Sequence, residues 1–485
     1  MAGRGILSYG TYLPYRRLDL SEITAVAGTG GGTGTRTVAS YDEDTTTMGV
    51  AAARHALAAA PGGTAPASLW FATVEPAYLD KTNATAVHAA LRLPATCPAF
   101  DANGSIRSAV GALRAGFSAT GPALVVTSDM RTGLPGSPDE ASGGDGASAL
   151  LVGSTDDGPL VAEVLGAGSA TEEFLDRWRT PGESRSRVWE ERFGQGRYVA
   201  LGRRAWEDAL EAAGLAADRV DSVVVATTHP RAATTLAGKL GVADRVADDL
   251  AASVGFTGTA HPTLALANVL DASPAGRVVA LVVLADGADV TLLGTTESLP
   301  AGRSLPSVAD QIAAGGPLPY GTALAWRGHL SVEPPRRPPP ARPSASAAGR
   351  STAWKFGFVG SRGDDGTVHL PPAPGEGDPR PMADATGTIA TYTVDRLAYS
   401  PSPPVVFAVV DFDGGGRVPI ELTDVDATEV AIGDRVEMTF RRLYTADGIH
   451  NYFWKARPVR TGPVPGGGAA VGAGAGGTRR QDEGS

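Results

Sequence analysis

Cysteine is nearly absent from this chain. The single residue, Cys97 in "PATCPAF", excludes an intramolecular disulfide and any metal site built on several cysteines. Long apolar runs are missing too: none approaches the roughly 18 residues that a membrane-spanning helix requires, and the opening "MAGRGILSYGTYLP" is too short in apolar residues for a secretory signal. A soluble cytoplasmic protein without a membrane partner is therefore expected. Basic residues are outnumbered, 42 against 52 acidic for a net charge of −10, which argues against bulk nucleic-acid binding. A local basic mouth remains open to Arg16–Arg17, Arg107, Arg114, Arg203–Arg204 or Arg441–Arg442.

Glycine (63) and proline (36) are abundant, and they mark boundaries. Residues 331–352, "SVEPPRRPPPARPSASAAGRST", have no periodicity and read as a linker. The stretch from 461, which contains "GPVPGGGAAVGAGAGG", has nothing to bury and reads as a disordered tail. The run "GTGGGTGT" (28–35) imitates a dinucleotide loop, but no apolar strand precedes it and no phosphate-binding lysine follows. It is expected to be a flexible surface loop.

What is present is a repetition. "SLWFATVEP" (68–76) returns as "SVVVATTHP" (222–230), ending once on Glu75 and once on His229 before the proline. Each copy follows a segment of helical periodicity, 46–60 and 198–214, and precedes a small-residue helix and a buried strand, 108–129 and 261–287. Both then pass through an Asp-Gly turn into another apolar strand. Helix and strand alternating twice in this way predict an α/β fold of two similar halves, 1–160 and 161–330. Carboxyl ends of central strands converge in such folds, so the duplication predicts that Glu75 and His229 meet at one cleft.

Residues 1–330 resemble the thiolase superfamily, and within it hydroxymethylglutaryl-CoA synthase and ketoacyl synthase III. The stretches that carry the resemblance are "GILSYGTYLP", "ATVEPAYLDKTNATAVHAALRL", "SDMRTGLPGSPDEASGGDGASALLVG" and "ATTHPRAATTLAGKLG". It implies a duplicated five-layer α/β/α/β/α fold, usually dimeric, that acts on an acyl-CoA or acyl-carrier-protein thioester and needs no tightly bound cofactor. It also implies a general acid/base at Glu75, a carbonyl-polarising histidine at His229, and CoA contacts from Arg107 and Lys239. The family's cysteine nucleophile sits at the start of the first-half helix. In "DANGSIRSAVGAL" that position holds Ile106, which cannot attack a thioester. The asparagine that follows a glycine near the thioester carbonyl is replaced by Phe256 in "VGFTGTAHP". Ser105 and Ser108 flank the nucleophile position without a visible base. A site with an acid/base pair and no nucleophile can move protons at the carbon beside a thioester or at a β-hydroxyl. Cleft burial is expected to raise the Glu75 carboxyl.

The second block ends in alternating strands: "ATGTIATYTVDRL", "PPVVFAVVDFDGGGRVPIEL", "DRVEMTFRRLY" and "HNYFWKARPV". They predict an all-β OB-fold barrel over 382–460. With 8 Lys/Arg and 11 Asp/Glu in that span, it is a poor nucleic-acid footprint. The cluster Tyr452, Phe453, Trp454 reads as barrel core. The block resembles the OB-fold domain with a zinc ribbon that accompanies thiolases and acyl-CoA synthases, which implies a thiolase or synthase partner. The ribbon segment, 353–381, has Gly363, Asp364 and Asp365 where a cysteine pair would stand, so Asp364, Asp365 and His369 read as part of a metal-free hairpin.

Three functions stay open from sequence alone. The first is an acyl-thioester enzyme making or breaking a carbon–carbon bond, or transferring an acyl group, without a covalent intermediate. The second is a non-catalytic acyl-CoA-binding or scaffold protein, and the third a nucleic-acid-binding barrel that the acidic balance disfavours. Loops 131–145 and 166–197 are expected to shape the pocket.

Overall fold

A computed structural model describes residues 3–183, 185–303, 305–375 and 377–460. The expected tail lies outside the described residues. The first half contributes β1 (Arg4–Tyr12), α1 (Thr45–Ala58), β2 (Ser68–Thr73), α2 (Ala84–Ala90), β3 (Ala99–Asn103), α3 (Ser108–Ser118), β4 (Ala123–Met130) and β5 (Asp145–Ser154). The second contributes β6 (Ala162–Ala170), α4 (Glu191–Ala213), β7 (Ser222–Thr227), α5 (Pro230–Leu240), α6 (His261–Ala272), β8 (Val278–Leu284) and β9 (Ala288–Thr295).

The strands lie in the order β7-β8-β9-β6-β1-β5-β4-β2-β3. Within each half the central strands are parallel, β2 with β4 and β7 with β8, and the hairpins β4–β5 and β8–β9 are antiparallel. The halves meet where β1 and β6 pair through Gly5–Glu163 and Ile6–Ala162. The copies differ at their outer edges: β3 is a full strand, whereas its counterpart is a single bridge between Val223 and Val246.

The near-continuous apolar run of β8 follows from burial on both faces. Val279, Leu281 and Val283 face the central helices α3 and α6, while Ala280, Val282 and Leu284 face α4 and α5. On the first half, α1 and α2 cover the outer face and α3 and α6 the inner one. This is the expected five-layer stack.

The barrel comprises β10 (Gly387–Asp395), β11 (Val405–Phe412), β12 (Arg417–Glu421), β13 (Arg435–Ala446) and β14 (Ile449–Pro458), in the order β12-β11-β10-β13-β14. It closes where Leu422 pairs with Ala456. Between linker and barrel, Val359–Arg362, Val368–His369 and Asp378–Pro381 form a small antiparallel sheet. Asp365 closes its own turn by accepting from the Thr367 amide and hydroxyl. Among the described residues no group of three His, Cys, Asp or Glu side chains is arranged around a metal position. The linker holds a short helix at Ala345–Arg350. The 28–34 run lies at the surface but is packed, since a Cβ at Gly30 would come within 2.3 Å of the Gly136 carbonyl.

Barrel and first half share one apolar core, in which Met48 and Phe71 belong with Phe440 and Trp454. Asp42, Glu43 and Asp44, just before α1, are all buried there. Lys455 Nζ sits 3.0 Å from Asp42 and 2.8 Å from Glu421. Arg441 pairs with Glu43 and lies 2.7 Å from Asp424. The Tyr452 hydroxyl donates to Asp44 at 2.7 Å, and Asp44 in turn caps α1 through the Thr47 amide. Arg441 is therefore no part of a basic mouth. Burial alone would push the Asp42 carboxyl up, but Lys455 and Arg441 outweigh it and hold it below its ordinary value.

Removing one partner of a buried pair leaves an uncompensated charge. Lys455→Met is expected to lower stability by about 3–5 kcal/mol, read from guanidinium unfolding midpoints. Adding Asp42→Leu should restore a substantial part of the loss; no recovery would mean that the pair is not what Lys455 supplies.

Candidate active site

The duplicated strands end alike. The Glu75 amide donates to Thr73 Oγ1 at 3.0 Å, and the His229 amide donates to Thr227 Oγ1 at 3.1 Å. Beyond that the copies diverge. Pro230 opens helix α5, with His229 as its N-cap, whereas the chain after Pro76 runs on as a loop to Ala84.

Glu75 is held by its backbone and left open at its side chain. Its carbonyl accepts from Thr45 Oγ1 at 2.8 Å, and its carboxylate pairs with Arg179 at 2.5 Å with 42% of the side chain exposed. The burial expected for this residue is not met. Beneath it, Asp129 at the end of β4 accepts from Thr73 Oγ1 and the Val74 amide (both 2.8 Å) and from the Thr259 amide (2.6 Å). Burial pushes the Asp129 carboxyl up. Gly258 has φ +60, and a Cβ there would stand 2.1 Å from Asp129 Oδ2, so the turn before α6 needs glycine twice over.

His229 is buried, and both ring nitrogens are taken. A backbone N–H can only donate, so Nδ1 accepts from the Ala232 amide (3.2 Å), and Nε2 donates to the Glu191 carbonyl (2.8 Å). Sequence reasoning assigned this imidazole to a substrate carbonyl. In the fold it is spent on holding the start of α5 against α4. A single segment, 176–179, passes both Glu75 and His229. Asp176 lies against His229, and Arg179, no more than about 11 Å further along the chain, pairs with Glu75.

Ile106 sits two residues before α3, half-buried against the central core. Ser108 Oγ donates to the Asn103 carbonyl, so it is not aligned with a base. Cys97 is buried ahead of β3, and burial pushes its thiol up. Arg107 is not free for CoA. Its guanidinium lies 2.7 Å from Asp289 and donates to the Asp286 carbonyl and the hydroxyls of Ser169 and Thr171, tying the head of α3 to the second half. Lys239 is exposed on the last turn of α5 and makes no ion pair among the described residues.

Phe256 is fixed by its backbone, donating to the Ser142 carbonyl and accepting from the Gly144 amide, and its ring lies 4.4 Å from that of His261. His261 is the residue that sequence reasoning missed. It is the first residue of α6, and its Nδ1 accepts from the Thr257 amide at 3.3 Å. The neutral ring therefore carries its proton on Nε2, which has no protein acceptor among the described residues. Burial lowers its pKa to about 4. The available signal was a histidine directly before the proline of a central helix, in the second-half counterpart of the nucleophile segment.

Comparisons with known proteins agree with this architecture. The model of the ChsH2 C-terminal OB-fold domain matches residues 379–441. The hydroxymethylglutaryl-CoA synthase of Aeropyrum pernix is 27% identical over 347 residues, covering 68% of this chain and 95% of that protein. A crystal structure of HMG-CoA synthase complexed with CoA superposes with a TM-score of 0.57 at 17% identity, over 66% of this chain and 89% of that one. The 3-oxoacyl-(acyl carrier protein) synthase III of Pseudomonas aeruginosa gives 0.53 at 22% identity, over 61% and 99%. The chain thus has a thiolase-like fold, similar in sequence to hydroxymethylglutaryl-CoA synthases, followed by an OB-fold.

His55, whose Nδ1–H donates to the Thr11 carbonyl, is also lowered to about 4 by burial. An unfolded histidine titrates near 6.5, so the unfolded chain binds protons first as the pH falls. Stability contributed by these two residues is complete above about 6.5 and is lost towards about 4, on the order of 3 kcal/mol for each. Urea midpoints at pH 7 and pH 5 should show this loss, and His261→Gln should make it shallower. An unchanged difference in the variant would refute the assignment.

Proposed function

We propose that this protein acts on an acyl thioester by proton transfer, forming or cleaving a carbon–carbon bond in aldol fashion without an acyl-enzyme. The observation that carries the reading is the pairing of Ile106 at the head of α3 with an accessible Glu75 at the end of β2. A nucleophile is missing where the resemblance implies one, while the acid/base remains.

In the condensing direction Glu75 takes a proton from the carbon beside the thioester carbonyl, and the electron pair moves onto the carbonyl oxygen. The Nε2–H of His261 is a donor suited to that developing oxyanion, aided by the positive end of α6. The enolate then adds to an acceptor carbonyl, whose oxygen receives the proton from Glu75. Cleavage is the same path reversed, beginning with the β-hydroxyl proton. His229 positions α4 and α5 in this scheme rather than touching substrate. In direct acyl transfer the acceptor's nucleophile attacks the thioester carbonyl instead, and the carrier thiolate leaves with the proton that Glu75 takes from the nucleophile.

The similarity to CoA- and carrier-protein-dependent synthases supports a thioester of one of those carriers as substrate. The homodimer belongs to the same proposal, and β3, the outer strand of the first half-sheet, is an edge able to receive a second copy. A non-catalytic acyl-CoA-binding role is the second reading. What favours it is the full commitment of His229 to protein partners.

Incubation with acyl-CoAs in D₂O tests the two. Deuterium is expected at the α-carbon, with the rate reduced about 10²–10⁴-fold in Glu75→Gln and little changed in His229→Asn, which retains a capping side chain. Acyl-CoA binding without exchange in the parent protein would leave the scaffold reading standing instead.

A further inference from the structure

A glutamate side chain left to itself turns freely about several bonds, and a general base has to meet its proton at hydrogen-bond distance. The structure holds Glu75 by one oxygen. Arg179 Nη2 donates to Glu75 Oε2 at 2.5 Å and to the Val74 carbonyl at 3.2 Å, so a single nitrogen ties the carboxylate to the backbone just after β2. No donor reaches Glu75 Oε1 among the described residues. The two oxygens are therefore unequal: one is held and the other is free.

Arg179 is itself anchored. Arg177 and Trp178 pair with Val188 and Arg187 in a short antiparallel ladder, and the Trp189 amide donates to the Asp176 carbonyl at 2.9 Å. Arg177 also pairs with Asp139 at 2.8 Å. A guanidinium on a tethered segment thus meets a carboxylate whose backbone is fixed by Thr45 and Thr73. Both side chains of the pair stay partly exposed, and ion pairs of that kind contribute little to folding. What the contact supplies is orientation.

We infer that Arg179 is a positioning residue, which turns the Glu75 carboxylate so that Oε1 is the oxygen that takes and returns the proton. The inference rests on the proton-transfer reading above. The proton passes from the α-carbon to Oε1 and the electron pair to the thioester oxygen, while Arg179 keeps all of its protons. Two other roles, a substrate contact and a latch that covers the base, give different results in the same experiment.

Exchange of the α-protons of butyryl-CoA in D₂O, measured with the full chain, separates them. Arg179→Ala is expected to lower the maximal exchange rate about 10²-fold with KM unchanged. Guanidinium chloride below denaturing concentration should restore part of the rate, sodium chloride at equal ionic strength none, and Arg179→Lys should retain part of it. In a Glu75→Gln background Arg179→Ala should cost nothing more. Urea midpoints of Arg179→Ala and the parent protein should coincide. A raised KM at an unchanged rate makes Arg179 a substrate contact, and a faster rate makes it a latch; either overturns the inference. A loss that guanidinium does not rescue, or that adds to the loss in Glu75→Gln, assigns Arg179 a structural role and overturns it as well. All of these leave the proton-transfer reading intact. If the parent protein exchanges no deuterium, or Glu75→Gln exchanges as fast as the parent, that reading falls and the positioning role with it.

Discussion

Three consecutive carboxylates taken out of water need cations close by, and this requirement organises the molecule. Asp42, Glu43 and Asp44 lie inside the protein because strands β13 and β14 bring Arg441, Tyr452 and Lys455 to them. Without the barrel, the start of α1 would expose apolar surface and bury unpaired charge in the same place. The two blocks therefore form one cooperative core. The barrel is part of the architecture that supports the start of α1.

The dependence reaches the candidate site by short steps. Asp44 caps α1, the next residue, Thr45, holds the Glu75 carbonyl, and the Tyr78 hydroxyl accepts from the His450 amide on the barrel. The Glu75 segment is thus fastened at its carbonyl by the first turn of α1 and three residues later by β14. In the proposed reaction Glu75 gains from this fixed backbone, since proton transfer demands hydrogen-bond distances. Its carboxylate stays 42% exposed despite the pair with Arg179.

Gene duplication left matching backbones with unequal duties. Thr73 and Thr227 make the same bond to the residue two positions on, yet only the second copy continues into a helix. An imidazole at a helix N-cap finds a free amide at once, and His229 takes it. The first copy has no helix there, so its carboxylate stays available. The N-terminal end of α6 supplies instead His261, whose second nitrogen is unclaimed among the described residues. In the second half the imidazole with an unclaimed nitrogen thus lies at the head of a central helix rather than at the end of a strand.

Much of this was legible in the linear chain. Period-two and helical patterns, an Ala-Thr echo 154 positions apart and alternating barrel strands suffice for a duplicated α/β fold with an OB barrel, because local periodicity directly encodes which faces are buried. They also place Glu75 and His229 at equivalent ends and put Ile106 at the entry of a helix. What no local pattern could reveal were contacts made across long separations: Asp129 with Thr259, Arg107 with Asp289, Arg441 with Glu43. Those contacts decide whether a charged side chain is free or spent. The sequence determined which residues could carry chemistry. Only the tertiary structure decided that Arg107, Arg441 and His229 are used up inside the protein while the Glu75 carboxylate stays partly exposed and His261 Nε2 has no acceptor among the described residues, because hydrogen-bonding capacity is finite and is allotted by neighbours in space.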